Sequence, residues 1–287
     1  MHFIEAKRIL SSHNGMNIYR GCSHDCIYCD TRSDCYGFKH DFEDIEVKIN
    51  APELLEQALK SKRRKCMIGT GSMSDPYLHI EKDLKLTRKC LEVIDKYGFG
   101  VTILTKSDLI LRDLDLLVKI NQKARCVVQM TLTTYDENLC KLIEPNVATT
   151  KRRFEVLKIL QKHGIPCVVW LCPILPHIND NLDNLKGIMQ YCIDAGVKAI
   201  VNFGFGVTMR DGNREYYYHH LDKTFKGLKR LYQKQYQNSY NLLSPNHPVL
   251  LHYFKETCHR HQIICDDEAC FQYLNYFPQE YEQLSLF

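Results

Sequence analysis

The chain has 287 residues, of which 45% are hydrophobic and 25% charged, and its formal charge is +4. Such a composition supports one large core, or a core with a small appendage, and argues against disorder. The charge permits a nucleic-acid partner without requiring one, and no apolar stretch reaches the roughly 18 residues that a membrane-spanning helix needs.

Short apolar, β-branched runs at 16–19, 66–69, 101–104, 126–132, 167–171 and 199–203 predict six strands. Between them, residues 52–59, 84–97, 149–163 and 181–195 show helical spacing, and Gly98, Gly164 and Gly196 follow three of these stretches where a helix C-cap favours glycine. Strands alternating with helices imply a buried parallel sheet. The expected class is α/β, with six units forming a closed or partial (β/α)6 barrel, and a doubly wound open sheet as the alternative. Either arrangement places a site at the C-terminal ends of the strands. The polar residues agree, because Cys22 to Cys29, Thr70 to Pro76, Thr105 to Asp108, Thr131 to Thr134, Pro173 and Gly204 to Arg210 each follow a predicted strand.

Three segments are therefore expected: a barrel at 1–212, a helical, aromatic-rich C-terminal extension at 213–278, and a tail at 279–287. Within the extension, Lys223, Lys226, Lys229, Arg230 and Lys234 fall on one predicted helix. That helix offers lysines to phosphates, or is an ordinary solvated face.

Fourteen cysteines is a high count. Residues 1–5 lack the basic start and apolar run of a signal peptide, so a reducing cytoplasm is expected, where clustered cysteines indicate metal rather than disulfides. Cys66, Cys90, Cys126, Cys167 and Cys192 sit in apolar patterns and read as core. Cys258, Cys265 and Cys270, with His259 and His261, match no metal spacing and read as core and turn residues. Cys22-x3-Cys26-x2-Cys29 is the specific signal. Three thiolates in one loop hold three corners of a [4Fe–4S] cluster and leave the fourth iron open. Zinc would want a fourth paired ligand, which is not evident nearby. Cys35 is a possible fourth ligand but reads better as a packing or pocket residue.

A Cys-x3-Cys-x2-Cys loop after the first strand, with Tyr28 before the third cysteine, resembles the radical S-adenosylmethionine (SAM) superfamily. That resemblance implies a [4Fe–4S] cluster on Cys22, Cys26 and Cys29, SAM chelated by the open iron, and an electron donor such as flavodoxin or ferredoxin. One electron then yields a 5′-deoxyadenosyl radical, which abstracts hydrogen from a substrate. Tyr19-Arg20-Gly21-Cys22-Ser23-His24, Ser74-Asp75-Pro76, Thr105-Lys106 and Ile143-Glu144-Pro145 are similar to the spore photoproduct lyase-like branch, over roughly residues 10–210. This branch implies that Tyr28, Ser74, Asp75, Lys106 and Thr133 contact SAM and that Arg153 faces its carboxylate. A helix-capping role for Ser74 and a solvated one for Lys106 are the alternatives. The lyase carries a hydrogen-donating cysteine two residues before its Ser-Asp-Pro, where this chain has Ser72. A serine O–H bond is too strong for that task, so Cys35, Cys140 and Cys172 become the candidate donors, or the substrate differs.

The last five residues, Gln283, Leu284, Ser285, Leu286 and Phe287, resemble the pentapeptide that binds the bacterial sliding clamp. The alternative is a tail packed on its own barrel. Lesion lyase-like motifs and a clamp-like tail together lead to an expectation of DNA repair. The competing expectations are a radical SAM enzyme acting on RNA, a peptide or a metabolite, and a non-catalytic iron–sulfur adaptor.

Overall fold

The computed structural model describes residues 1–278. The first half runs β1 (His2–Ile4), β2 (Gly15–Met16), β3 (Tyr19–Arg20), β4 (Glu46–Lys48), α1 (Ala51–Ser61), β5 (Met67–Thr70), α2 (Glu81–Leu84), α3 (Leu86–Tyr97), β6 (Gly100–Thr105), α4 (Leu114–Lys123) and β7 (Cys126–Thr131). There follow α5 (Glu137–Ile143), α6 (Thr150–Lys162), β8 (Cys167–Trp170), α7 (Leu182–Asp194), β9 (Ala199–Val201) and β10 (Gly206–Thr208). The chain continues through α8 (Asn213–Thr224), α9 (Leu228–Tyr236), β11 (Asn241–Leu243), α10 (His247–Arg260) and α11 (Asp267–Asn275).

Six parallel strands pair in the order β2-β5-β6-β7-β8-β9. Their order never reverses along the chain, as in a barrel and unlike a doubly wound sheet. No β9–β2 pairing closes it among the described residues, so the architecture is the expected partial (β/α)6 barrel. The strand expected at 16–19 is divided: β2 joins the barrel, while β3 pairs antiparallel with β4 in a separate three-stranded sheet with β1. Strands of two or three residues carry too little alternation to be read from sequence.

Alternation along the longer strands sorts the two faces of the sheet. Val101, Ile103, Val128, Met130, Val169 and Ile200 join the core beneath the helices, where α1 packs on α3, α3 on α4, and α6 on α7. The intervening residues Val127, Val168 and Val201 face inward, where Cys270 and Leu274 of α11 cover them. Thus α11 fills one end of the half-barrel, and a cavity remains at the other.

The C-terminal extension is not separately cored. Leu250, Phe254 and Cys258 of α10 belong to the main core, and Ile264 lies beside β9, accepting from Ile200 N–H at 2.8 Å and donating to Lys198 at 3.1 Å. The bridge covers part of an edge that would otherwise expose unpaired backbone. The single basic helix expected over 223–234 does not form. Phe225–Gly227 interrupts it, with Gly227 at φ +82°, so Lys223 lies in the last turn of α8 while Lys229, Arg230 and Lys234 lie on α9. Periodicity could not reveal the break, because both halves are helical. The turn after β5 also needs glycine: Gly71 has φ +100°, and a Cβ there would lie 1.9 Å from the Leu104 carbonyl oxygen.

Candidate active site

A cavity of about 380 Å³ opens at the C-terminal ends of the strands. Cys22, Cys26 and Cys29 line it. Their loop is fixed by backbone contacts made far away in sequence. Cys22 N–H donates to Phe42 C=O at 3.1 Å, and Ile27 N–H donates to Ile143 C=O at 3.0 Å. Gly21, at φ +91°, lets the chain pass Phe42, whose carbonyl oxygen would lie 2.5 Å from a Cβ.

The Ser-Asp-Pro turn braces the same loop. Ser74 Oγ donates to Gly21 C=O at 2.6 Å. Asp75 accepts from Thr105 Oγ1 at 2.7 Å and from the backbone N–H groups of Tyr77 and Lys106, both at 2.8 Å. Ser74 and Asp75 line the cavity, and these polar contacts organise the protein itself. Lys106 lines it too, with Nζ 5.8 Å from the centroid of the Tyr28 ring and no hydrogen bond to another described residue. Burial opposes its charge, yet Cys26 and Glu144 outweigh burial and hold the ammonium above the usual lysine range.

Behind the loop lies a buried polar linkage. Tyr28 donates its hydroxyl to Glu144, which pairs with Arg153. Arg153 also donates to Thr131 C=O at 2.6 Å and to Ala148 C=O at 2.8 Å, and its Nη2 lies 3.3 Å from Cys140 Sγ. Burial alone would raise the Glu144 carboxyl, but Arg153 and then Lys106 overcome it and leave the group below the usual range. The linked stability is present above the ordinary glutamate pKa of about 4.3 and is lost as pH falls through the depressed value.

This linkage corrects part of the expected site. Arg153 is fully buried, does not line the cavity and spends its guanidinium on the protein. Thr133 is also buried outside the lining, with its carbonyl accepting from Asn179 and Asn184 at 2.9 Å each, whereas Thr131 lines the cavity. Cys140 packs against Glu144 and Arg153, outside the cavity. Cys35 is exposed outside the lining, with its sulfur 3.1 Å from Arg210 Nη1. Of the candidate hydrogen donors, Cys172 alone lines the cavity, as does Ser72. Burial pushes the Cys172 thiol up to about 12, which keeps the hydrogen on sulfur at neutral pH.

The sequence reading missed the aromatic wall. Trp170 and Phe203 line the cavity, with ring centroids 5.8 Å apart, and Phe271 of α11 stacks on Phe203 at 6.2 Å and 17°. Phe203 is 55% exposed and Phe271 38%, so this wall is open to solvent. The available signal was a lone tryptophan ending one strand and a phenylalanine just past the next. The other cysteines fit the plain reading: Cys90, Cys126, Cys167 and Cys192 are buried, Cys66 is partly so, and Cys258, Cys265 and Cys270 do not gather into a three-ligand group within 4.8 Å. The clamp-like pentapeptide lies outside the described residues.

The three cavity cysteines suit a cluster better than one ion. A single tetrahedral zinc draws its sulfurs to roughly 3.8 Å of one another, whereas these three do not lie mutually within 4.8 Å. Burial, and then the Cys29 thiol, pushes Cys22 up to about 12, and burial drives Cys26 well above the usual range. Bare thiolates are disfavoured there, and coordinated cationic iron reverses that balance.

A three-cysteine loop above an ordered six-strand half-barrel defines an iron–sulfur α/β enzyme. Residues 16–192 match the radical SAM superfamily, and the chain belongs to it. Its cofactors are a [4Fe–4S] cluster and SAM. An uncharacterized protein of Methanocaldococcus jannaschii is 34% identical over 80% of this chain and 78% of its own length. An uncharacterized Mycobacterium tuberculosis protein is 26% identical over 77% of this chain and 66% of its own. Among solved structures, a spore photoproduct lyase variant superposes with a TM-score of 0.63 at 13% identity, covering 90% of this chain and 78% of the other. At that identity the likeness establishes the fold. No helix among the described residues is long and apolar enough to cross a membrane.

Arg153→Ala strands Glu144 as a buried charge and is expected to cost about 3–5 kcal/mol of stability. Replacing both, as Arg153→Met with Glu144→Leu, should cost less. Denaturant midpoints check the ordering, and a wild-type midpoint for Arg153→Ala would remove the pair from its structural role.

Proposed function

We propose that this enzyme repairs or modifies DNA, taking a single nucleotide into the cavity lined by Cys22, Cys26 and Cys29. The observation that supports a nucleobase is the aromatic wall at the same cavity. Trp170, Phe203 and Phe271 present ring faces and edges on which an unstacked base can pack. The clamp-like tail supports DNA as the polymer.

In this reading Cys22, Cys26 and Cys29 hold the cluster, while Lys106 supplies the cation for the SAM carboxylate in place of Arg153. Tyr28, Ser74 and Asp75 keep the loop and the ligand in register. When bound, the cluster supplies the electron that cleaves the SAM sulfonium and so generates the radical that acts on substrate. Cys172 returns a hydrogen atom to the product radical by breaking its S–H bond. The electron donor, such as flavodoxin or ferredoxin, with a solvent proton, restores the thiol. Ser72 cannot serve as that donor because of its strong O–H bond.

Cys29→Ala should abolish reductive formation of 5′-deoxyadenosine. Lys106→Ala should retain the cluster spectrum and weaken SAM binding by about 10–150-fold, the worth of a charged hydrogen bond. Wild-type deoxyadenosine yield from Cys29→Ala would refute the cluster assignment.

Irradiated and unirradiated oligonucleotides then test the substrate. Products formed in deuterated water should carry deuterium with the wild type and lose it with Cys172→Ser, while Phe203→Ala should weaken single-strand binding by about 1–3 kcal/mol per stacked base. No change in any oligonucleotide, with turnover of RNA or peptide instead, would replace DNA as the substrate.

Recruitment by the sliding clamp through Gln283, Leu284, Ser285, Leu286 and Phe287 belongs to the same proposal. Deleting these five residues should remove clamp binding and leave deoxyadenosine formation unchanged. A tail peptide with Leu286→Ala and Phe287→Ala that binds clamp as well as the native peptide would dismiss it.

A further inference from the structure

Away from the cavity, the small sheet of β1, β4 and β3 gathers a second set of ligand atoms. His2 on β1 stands directly opposite Glu46 on β4. His40 reaches the same place from the preceding loop. One ligand atom from each lies within 4.8 Å of the others, and among the described residues this is the only such group of three or more. The individual separations to Glu46 Oε2 are 4.0 Å from His2 Nε2 and 3.9 Å from His40 Nε2.

Both imidazoles are oriented by their other nitrogen. His2 Nδ1 lies 2.8 Å from the Asp44 carboxylate, and His40 Nδ1 lies 2.9 Å from the Asp41 carbonyl oxygen. Each partner is an acceptor, so each Nδ1 carries the hydrogen and a neutral ring then has a lone pair on Nε2. With both rings neutral, two lone pairs and a carboxylate face one another. His40 Nε2 is buried without a hydrogen-bond partner. Arg20, opposite Glu46 on β3, does not neutralise it. Its guanidinium donates to Tyr36 C=O at 2.7 Å and Gly37 C=O at 3.0 Å and stacks over Phe38.

We propose that His2, His40 and Glu46 bind one divalent transition ion, zinc by the chemistry of the set. Two imidazoles and one carboxylate, each imidazole held through its second nitrogen, form a familiar zinc donor set with a fourth position left for water. Tetrahedral zinc brings such N and O atoms to roughly 3.4 Å, about half an ångström closer than each imidazole nitrogen now stands to Glu46 Oε2. The ion ties the 37–44 loop to the small sheet. Two residues beyond His40, Phe42 lines the cavity and accepts from Cys22 N–H at 3.1 Å. The zinc site therefore steadies the outer support of the cysteine loop, although binding of zinc itself does not depend on the function proposed for that loop.

The test is elemental analysis of the untagged holoenzyme, dialysed against micromolar zinc and then passed through gel filtration. The wild type should retain about one zinc per chain beside its iron. His40→Gln and Glu46→Gln should each bind zinc more than tenfold more weakly while still taking up iron. An anomalous difference peak at the zinc edge, between the three side chains in wild-type crystals, decides the matter should either variant fail to fold. Absence of zinc from the wild type, retention by both folded variants, or loss on Cys258→Ser instead, overturns the site.

Discussion

The cysteine loop depends on one buried ion pair. Arg153 and Glu144 are both shut off from solvent, and Glu144 has Tyr28 as its second partner. Two charges without water are tolerable only when their remaining hydrogen-bonding capacity is filled. Here it is filled by the carbonyls of Thr131 and Ala148 and by the Tyr28 hydroxyl. The same bonds connect the end of β7, the start of α6 and the middle of the cysteine loop. The electrostatic need to satisfy Arg153 thus becomes a geometric constraint on Tyr28 and on the cysteines either side of it.

That constraint divides the labour among the cations. Arg153 is immobilised within the protein, so Lys106 is left facing the cavity, close to the cysteines and to the ring of Tyr28. The Ser-Asp-Pro turn acts similarly. Its serine and aspartate hold Gly21 after β3 and Thr105 and Lys106 at the end of β6, and so fix those two strand ends relative to the turn after β5. A zwitterionic cofactor entering this cavity meets a framework already organised by internal bonds, which lowers the ordering cost of binding.

The half-barrel leaves room for that framework because its two faces have different tasks. Alternate residues on β6 to β9 build the core under the helices, and the intervening ones meet α11 at one end and the cavity at the other. At the boundary, Trp170 donates to Gln129, which donates to Thr102, each at 2.7 Å. This chain of hydrogen bonds carries the sheet's polar inner surface to the aromatic wall. The extension consequently contributes to the fold and to the packing of Phe203 at the cavity at once, through Cys270 and Phe271 on adjacent positions of one helix.

The sequence by itself determined the six-unit α/β rhythm, the polar ends of the strands and the three-cysteine loop. These are local signals, written in the 2-residue and 3.6-residue periods of side-chain burial and in spacings within eight residues, Cys22 to Cys29. Helix α4 and the strands β1, β4 and β11 escaped because short or weakly patterned segments take their structure from partners elsewhere. Only tertiary structure decided which side chains reach the cavity. Thr131 and Thr133 are both buried near a strand end, and the direction of the chain turns one toward the cavity and the other away from it. Tyr28 and Glu144 are 116 residues apart, and the convergence of His2 and His40 on Glu46 depends on strand register and a loop's return. Such contacts obey burial and hydrogen-bond satisfaction across the whole fold, and sequence spacing carries no record of that accounting.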